Sequence, residues 1–417
     1  MAIQLHPSKD IVASRSSLMS GKKIALAICG SVAAVRTPDL ARELMRNGAE
    51  VHAVMTRSAQ DLITPEIMEW ATGNPVVTAL TGKVEHIALG NGAEGSADIV
   101  IIAPATANTI SKIALGIDDT PVTSLATTAI GAGVPIIVAP AMHATMYCHP
   151  AVAENMRKLN EMGIKVVMPD FAEGKAKMAE NGLIVDATVS ALSAKDLQGV
   201  RALITAGPTR SYMDAIRFLT NSSSGKMGFA LAKEAAARGA EVAVVAGPVA
   251  VPPISADLIN VTTTEEMLSA VLSELGSKPY DLLIMAAAPL DFAFSSKSDG
   301  KLSSDTPLTV TLNPLQKISG EARKASSDLF IIGFKAEYGL TADELVSRAR
   351  GRLLGSGMDL IVANDLARED AGFGADTNEA YVVDREGIVA HIPVSSKMEV
   401  AKGILDIYEK RRNRNGK

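Results

Sequence analysis

RALITAGPTRSYMDAIRFLTNSSSGKMGFALAKEAAARGAEVAVVAGP, residues Arg201–Pro248, decides the fold. Its first apolar run, Ala202–Ala206, lacks polar alternation and reads as a strand buried on both faces of a parallel sheet. Gly207-Pro208 ends that run. After a polar connection, Asn221-Ser222-Ser223-Ser224-Gly225-Lys226-Met227-Gly228 opens an alanine-rich helix reaching Arg238. A second strand, Glu241–Ala246, ends in Gly247-Pro248. A loop of Gly and Ser that runs into a helix offers backbone N–H groups and hydroxyls to an anion. Gly207, Ser224, Gly225 and Lys226 are therefore candidate phosphate-side residues. The loop is not a Walker P-loop, since Met follows Lys226 and Thr220 stands where that motif has its first glycine. A helix cap followed by a tightly packed glycine is the plain structural alternative.

The same alternation runs through the rest of the chain. From Lys22, strands are read at Ile24–Ile28, Glu50–Met55, Ile99–Ala103, Pro135–Ala139 and Lys165–Met168. Helices are read near Asp39–Asn47, Pro65–Thr72, Ala107–Leu115, Thr123–Gly131 and Ala151–Met162. The second half adds strands at Leu282–Ala287, Leu329–Gly333 and Asp359–Ala363. Ala380–Val383 and Ile388–Ile392, around Asp384-Arg385-Glu386-Gly387, read as a β-hairpin. A composition shift over Ser190–Gly199 marks a boundary. The expected class is α/β, with two doubly wound, Rossmann-like domains. Ligands of such sheets sit outside the carboxyl ends of the strands. In the first half those ends carry Gly30-Ser31-Val32-Ala33-Ala34, Pro104-Ala105-Thr106-Ala107-Asn108 and Pro140-Ala141-Met142-His143.

Composition excludes several classes. The 417 residues are 47% hydrophobic and 21% charged, enough for large cores and unlike a disordered chain. Net charge is −5, and the basic tail Lys410–Lys417 reads as a solvated, frayed end rather than a nucleic-acid arm. Two cysteines argue against a disulfide framework and for a reducing compartment. No apolar run reaches the roughly 18 residues of a membrane span. Nor do the first residues carry a signal-peptide core. A cytoplasmic protein without nucleic-acid or membrane partners is the expectation.

TAGPT at Thr205–Thr209, Arg217 to Asn221, and SSGKMG at Ser223–Gly228 together resemble the phosphopantothenate–cysteine ligase half of the bifunctional coenzyme A biosynthesis flavoproteins. The resemblance covers Lys22–Glu409. It implies an N-terminal extension at 1–21, an FMN-dependent, flavodoxin-like phosphopantothenoylcysteine decarboxylase domain at 22–190, a linker at 191–199 and a ligase domain with a β-hairpin at 200–412. In this family the ligase half condenses 4′-phosphopantothenate with cysteine through an acyl-nucleotide, using CTP and Mg²⁺. The other half then decarboxylates the product to 4′-phosphopantetheine. Homo-oligomers are implied too, a trimer-based N-terminal assembly with dimeric ligase halves.

Site residues follow from the same likeness. GSVAA, PATANT and PAMHATMY match FMN- and substrate-binding segments, which implies Gly30 and Ser31 near the FMN phosphate. Thr56, Ser58, Pro104, Thr106, Asn108 and Met142 are implied near the cofactor. His86 matches the catalytic histidine, and imidazole suits proton abstraction near neutral pH. Read alone, a histidine beside apolar neighbours is more often structural. Its chemistry is implied by oxidation of the cysteine end of the substrate to a thioaldehyde, which acts as electron sink for loss of CO2. His143 stands where the family has Asn, and Met146 is a further substrate-side residue. The flap Gly174-Lys175-Ala176-Lys177-Met178-Ala179 lacks the family's proton-donating cysteine, for which Lys175, Lys177 or Cys148 could substitute. Cys29 and Cys148 otherwise read as small apolar fillers.

In the ligase half, Asn221 matches the asparagine that stabilises the acyl-nucleotide, and Arg217 its motif neighbour. Asp291, followed by Phe292 in the aromatic position, matches the nucleotide-binding aspartate. Lys301 matches the first of a lysine run whose later members are here Ser303 and Ser304. Phe334, Lys335 and Asn364 match nucleotide-side segments, and Asn313-Pro314 matches in part. Lys226, Lys301, Lys317 and Lys335 are the candidate cations, each of which alone reads equally as a solvated surface charge. Gly355-Ser356-Gly357 stands where lysine is common, though Arg352 remains. Two rival readings stay open, a ligase with a degenerate decarboxylase half and a flavin- or nucleotide-binding scaffold without turnover.

Overall fold

The computed structural model describes residues 6–250, 254, 256–303, 307–367, 372 and 374–414. Ser304 and residues 415–417 of the basic tail lie outside these described residues. The chain divides into two compact units, Met1–Ser193 and Ala194–Lys417.

In the first unit the strands are β1 (Lys23–Ile28), β2 (Glu50–Met55), β3 (Ile99–Ala105), β4 (Ile136–Pro140), β5 (Met142–His143), β6 (Lys165–Val166), β7 (Asp170–Ala172) and β8 (Lys175–Lys177). Among the described residues the main sheet has the order β2-β1-β3-β4-β6 and is parallel throughout. That order is the flavodoxin-like one, with its change of direction between β1 and β3. The apolar runs of the sequence are buried on both faces because helices cover both. Ile24, Leu26 and Ile28 enter one core layer, and Ala25 and Ala27 the other. The helix Thr37–Arg46 shows how a covering helix is specified. Pro38 and Asp39 suit its first turn, Arg46 its last, and Leu40, Ala41, Leu44 and Met45 face inward. A second, small antiparallel sheet, β5-β8-β7, carries the flap. Residues of the expected N-terminal extension pack here as well. Pro7–Ile11 is a short 3-10 helix, Lys9 donates to the Asn74 side chain at 2.8 Å, and Met19 is fully buried.

The second unit holds β9 (Arg201–Ala206), β10 (Arg210–Tyr212), β11 (Phe218–Thr220), β12 (Glu241–Ala246), β13 (Asp257–Asn260), β14 (Leu282–Met285), β15 (Phe292–Phe294), β16 (Leu312–Pro314), β17 (Phe330–Glu337), β18 (Leu360–Asp365), β19 (Thr377–Val383) and β20 (Ile388–Ser396). Its large sheet runs β13-β12-β9-β14-β17-β18-β19-β20, parallel up to β18 and antiparallel after it. The expected hairpin is β19–β20. The change of direction falls between β9 and β14. Two short antiparallel pairs, β10–β11 and β15–β16, extend from that end of the sheet.

Differences from the sequence reading are local. β14 stops at Met285 rather than Ala287 because the Ala287 N–H turns to the Thr205 hydroxyl, 3.2 Å away, and leaves the ladder. β6 stops at Val166, and Met168 is exposed on the way to the flap. The expected boundary segment begins inside a helix, Asn181–Leu192, whose mixed apolar run gives little periodicity.

The helix Lys226–Ala237 lies directly on β9. A Cβ built on Gly228 would stand 2.6 Å from the Ala206 Cβ and 3.1 Å from the Thr205 carbonyl oxygen. Backbone lies on the far side of that contact, so it cannot swing away. Gly228→Ala is expected to cost the second unit about 1–3 kcal/mol through overpacking. A lowered melting temperature of that unit checks it, with the first unit's transition unmoved.

Candidate functional site

In the second unit a cavity of about 530 Å³ opens between the carboxyl ends of β9 and β14. Polar side chains build its walls where the parallel ladder has run out. Asn221 donates from its side-chain nitrogen to the carbonyls of Ala288 (3.0 Å) and Pro289 (3.1 Å), tying the Ser-Gly loop to the segment after β14. The buried Thr209 hydroxyl accepts from the Leu290 N–H at 2.9 Å and lies 2.7 Å from the Thr264 hydroxyl. These bonds fix the approach to Asp291, which is ion-paired with Lys317. Gly225 adopts the left-handed conformation (φ 75°) just before the helix Lys226–Ala237, which a side chain would disfavour. On the far wall, β17 supplies Phe334 and Lys335, and β18 supplies the buried Asn364, opposite Ala336.

Electrostatics mark the cavity. Lys226, Lys317, Lys335, Arg352 and Lys397 line it, with one carboxylate, that of Asp291, among the described lining residues. Of the nearby pairs, that of Lys226 with Asp376 is exposed and therefore weak, whereas the carboxylate beside Lys335 is half-buried. Lys226 reaches Asp376 at 2.7 Å and Lys335 reaches Glu337 at 3.1 Å. An anion entering the cavity can replace the exposed partner at little cost. Of the sequence-derived residues, Asn221, Ser224, Gly225, Lys226, Asp291, Phe334, Lys335 and Asn364 come together in this lining. Gly207, Arg217 and Lys301 do not line it. Gly207 is buried in the turn after β9. Arg217 is bound to the fully buried Asp214, with Nε 2.8 Å from the carboxylate, and donates to the Leu302 carbonyl at 2.7 Å. Lys301 is exposed on the loop that this cluster anchors. Lys397, Asn378 and Thr264 escaped the sequence reading, because nothing at Thr263–Glu266 or Ser396–Glu399 beyond helix-cap patterns singles them out.

In the first unit the candidate residues gather at the ends of β1 to β4. The Thr56 N–H donates to the Ile28 carbonyl (3.0 Å), Cys29 N–H to Pro104 (3.2 Å), and Ala141 N–H to Ala105 (2.9 Å). Gly30 lies against Ser58 so closely that a Cβ would meet the Ser58 Cβ at 2.5 Å. Thr56 and Thr106 cap the short helices that follow, accepting from Ala59 and Thr109, whereas the Ser31 hydroxyl makes no such cap. Asn108 and Ser58 are exposed. Thus Gly30, Ser31, Thr56, Ser58 and Thr106 follow adjacent strand ends, while Pro104 lies near the end of β3 and Met142 opens β5 just after β4.

His86 sits on another element, the helix Glu85–Gly90, with its Nδ1 buried and without a hydrogen-bond partner. The residue that starts this helix, Val84, is left-handed (φ 48°), a conformation that is strained for a β-branched side chain. Glu85 fixes the turn by accepting from the Thr81 N–H at 2.8 Å. His143 pairs with Lys175 across β5 and β8, and its Nδ1 lies 2.9 Å from the Thr145 hydroxyl. Lys175 and Met146 are exposed, and Lys177 is held by Glu173 at 2.9 Å. The two cysteines differ. Cys29 is buried among apolar neighbours, and burial pushes its thiol up to about 11, so it stays protonated. Cys148 is not a filler. It follows the one-turn helix Ala144–Tyr147 on its solvent side and is exposed.

Residues 12–193 match the family model "Flavoprotein", and 197–411 match "DNA/pantothenate metabolism flavoprotein C-terminal domain". The Coenzyme A biosynthesis bifunctional protein CoaBC of Thermococcus kodakarensis is 50% identical over 97% of this chain and 99% of its own. That of Methanocaldococcus jannaschii is 38% identical over 97% of this chain and 98% of its own. That of Escherichia coli is 33% identical over 93% and 97%. A crystal structure of the C-terminal domain of a CoaBC protein covers 53% of this chain and 100% of that domain, at 32% identity and a TM-score of 0.45.

The Asp214 cluster yields a test of how the Lys301 loop is held. Its carboxyl accepts from the N–H groups of Arg217 (2.7 Å), Ile216 (2.8 Å) and Leu302 (3.2 Å), which with the Arg217 guanidinium hold it well below the usual carboxylate range. A depressed carboxyl stabilises the fold above its ordinary pKa and loses that effect as pH falls. Asp214→Asn is expected to lower the melting temperature at neutral pH. The gap to wild type should narrow as pH drops below about 4, which melts recorded across that range check.

Proposed function

Because this chain belongs to the family of bifunctional coenzyme A biosynthesis proteins and is an enzyme with a flavoprotein decarboxylase half and a ligase half, we propose which residues carry each activity. The ligase reaction belongs to the cavity between β9 and β14, and its cationic lining is the observation that carries the assignment. The carboxylate of 4′-phosphopantothenate attacks the α-phosphate of a nucleoside triphosphate, CTP delivered with Mg²⁺, and pyrophosphate leaves. The cysteine amine then attacks the acyl carbon and the nucleoside monophosphate leaves. Both transfers develop negative charge on phosphoryl oxygens, which preorganised cations stabilise. Lys226, Lys317 and Lys335 serve that role, with Ser224 and Gly225 on the phosphate side. Asn221, fixed by its two carbonyl contacts, holds the acyl-nucleotide. Asp291, Phe334 and Asn364 orient the nucleoside. Arg217 and Asp214 anchor the loop from which Lys301 acts.

In the decarboxylase half, the adjoining strand ends fit a phosphorylated flavin. The close approach of Gly30 to Ser58 and the uncapped Ser31 hydroxyl are the supporting features. Gly30, Ser31, Thr56, Ser58 and Thr106 would hold FMN, with Pro104, Asn108 and Met142 beside it. FMN supplies the reversible oxidation of the substrate's cysteine end when bound. His86 takes the proton, and the orphaned, buried Nδ1 supports a group kept for a ligand rather than for packing. His143 and Met146 contact the substrate, with Lys175 and Lys177 on the flap. The exposed Val32, Val35, Val84 and Ile87 around these segments support a homo-oligomer with flavin at subunit contacts, as in a trimer-based assembly with paired ligase halves. Among the described residues no helix is long and apolar enough to cross a membrane. Small-molecule substrates and a cytoplasmic setting complete the proposal.

A second reading, a ligase with an inactive first half, is favoured by the flap, where Lys175 and Lys177 occur without a cysteine. Mass spectrometry of products from 4′-phosphopantothenate, cysteine, Mg²⁺ and either CTP or ATP separates the two. 4′-Phosphopantetheine is the expected product, whereas accumulated phosphopantothenoylcysteine means that the first half is inactive. His86→Asn should abolish CO2 release and spare condensation, and an equal loss of both would remove the division of labour. Lys301→Gln should impair condensation alone, and an unchanged condensation rate would exclude it from the site.

A further inference from the structure

The last helix of the chain, Lys397–Arg414, brings a cation into the ligase cavity that no motif marks. Its start is fixed by a reciprocal cap. The Glu399 carboxylate accepts from the Ser396 N–H (3.1 Å) and hydroxyl (2.9 Å), and the Lys397 N–H donates to the Asp376 carbonyl at 3.0 Å. With its backbone so held, the half-buried Lys397 side chain turns to the cavity and donates to the Ala375 carbonyl. Lys226, at the start of the neighbouring helix Lys226–Ala237, donates to the adjacent Gly374 carbonyl (2.8 Å) and to Asp376 (2.7 Å). Two ammonium groups thus meet on three consecutive residues. The charges facing Lys397 are Lys226, which opposes its ionisation, and Asp376, which favours it; burial opposes it most. An arrangement of this kind is costly for packing alone, because like charges repel and Lys397 loses hydration.

We propose that Lys397 and Lys226 form a clamp for a phosphoryl group in the ligase site. This deepens the ligase reading and rests on it. A phosphate between the two ammonium groups relieves their repulsion, and its oxygens replace the two carbonyls and the exposed Asp376 as acceptors. Two substrates of the reaction bring that chemistry, the triphosphate of the nucleotide and the phosphate of 4′-phosphopantothenate. Lys397 is a binding residue, not a proton carrier, so arginine can take its place.

The test is the full-length enzyme carrying Lys397→Gln, with Lys397→Arg beside it. The expected result is a rise of about tenfold in KM for one phosphorylated substrate. KM for cysteine, decarboxylation of supplied phosphopantothenoylcysteine and the melting temperature should be unchanged, and the arginine variant should restore most of the loss. Which KM rises, the nucleotide's or the acid's, identifies the phosphate that is held. Unchanged values for both overturn the clamp, and so does an equal rise for all three substrates with a lower melting temperature, which marks a structural lysine. If the wild-type enzyme fails to condense, the ligase reading falls first. Calorimetry with inorganic pyrophosphate then tests the clamp separately. Binding weakened by Lys397→Gln supports it, and binding that is absent or unaltered by the substitution overturns it.

Discussion

Parallel strands stop abruptly at the crevice between β9 and β14, and the backbone groups beyond them have no neighbouring strand to bond. Buried amides and carbonyls left unpaired are expensive, so the sequence supplies side chains as substitutes for the missing ladder. Asn221 satisfies Ala288 and Pro289, Thr209 satisfies Leu290, and Asp214 gathers three N–H groups from two separate segments. Without these contacts the loops would have no reason to stay apart, and the cavity would close. The site is therefore built chiefly from groups whose first duty is to the backbone.

Onto that frame the chain places charge loosely. Asp291 with Lys317 and Asp376 with Lys226 are solvent-exposed pairs at the rim of one cavity, and Lys335 reaches the half-buried Glu337 beside it. Ion pairs of this sort contribute little to stability, but they keep long side chains near their working positions. The rigid part of the site is buried and hydrogen-bonded, and the exchangeable part is exposed and ionic. The first unit differs. Its strand ends offer glycine, hydroxyls and helix starts, and the strained Val84 and orphaned His86 are the features that packing does not explain.

Much of this was legible in the sequence. Strands such as Ala202–Ala206 and Ile99–Ala103 were readable because burial on both faces forces continuous apolar runs. The strand-end segments were readable because an α/β sheet leaves few other places for glycine, serine and threonine to matter. Asn221, Lys226 and Asp291 were read through local motifs, and they do share one cavity. Arg217 and Lys301 were read through the same motifs, but their geometry depends on Asp214, whose importance comes from three contacts that no local pattern contains. Lys397 was invisible for a related reason, since a lysine at a helix start looks like any surface charge until the start of the neighbouring helix, with Lys226, is in view. The helix Asn181–Leu192 was missed because Leu183, Ala187, Ala191 and Leu192 extend its apolar surface beyond the buried face of Ile184, Val185, Thr188 and Val189 and blur the period.

The cavity between β9 and β14 draws on residues from Thr205 to Lys397, and the last helix shares a core layer with the helix Lys226–Ala237, Ile404 and Leu405 lying in one cluster with Phe229 and Leu231. During synthesis this has a consequence in time. The first unit has all of its sheet and both core layers once the chain has passed Ser193, and it can fold while the remainder is still being made. The second unit cannot, because the earliest helix of its sheet waits for the latest. Contacts between its two ends are of high sequence separation, the kind that slows folding. The nascent chain thus carries a finished flavoprotein half tethered to a ligase half that stays open until its last residues emerge.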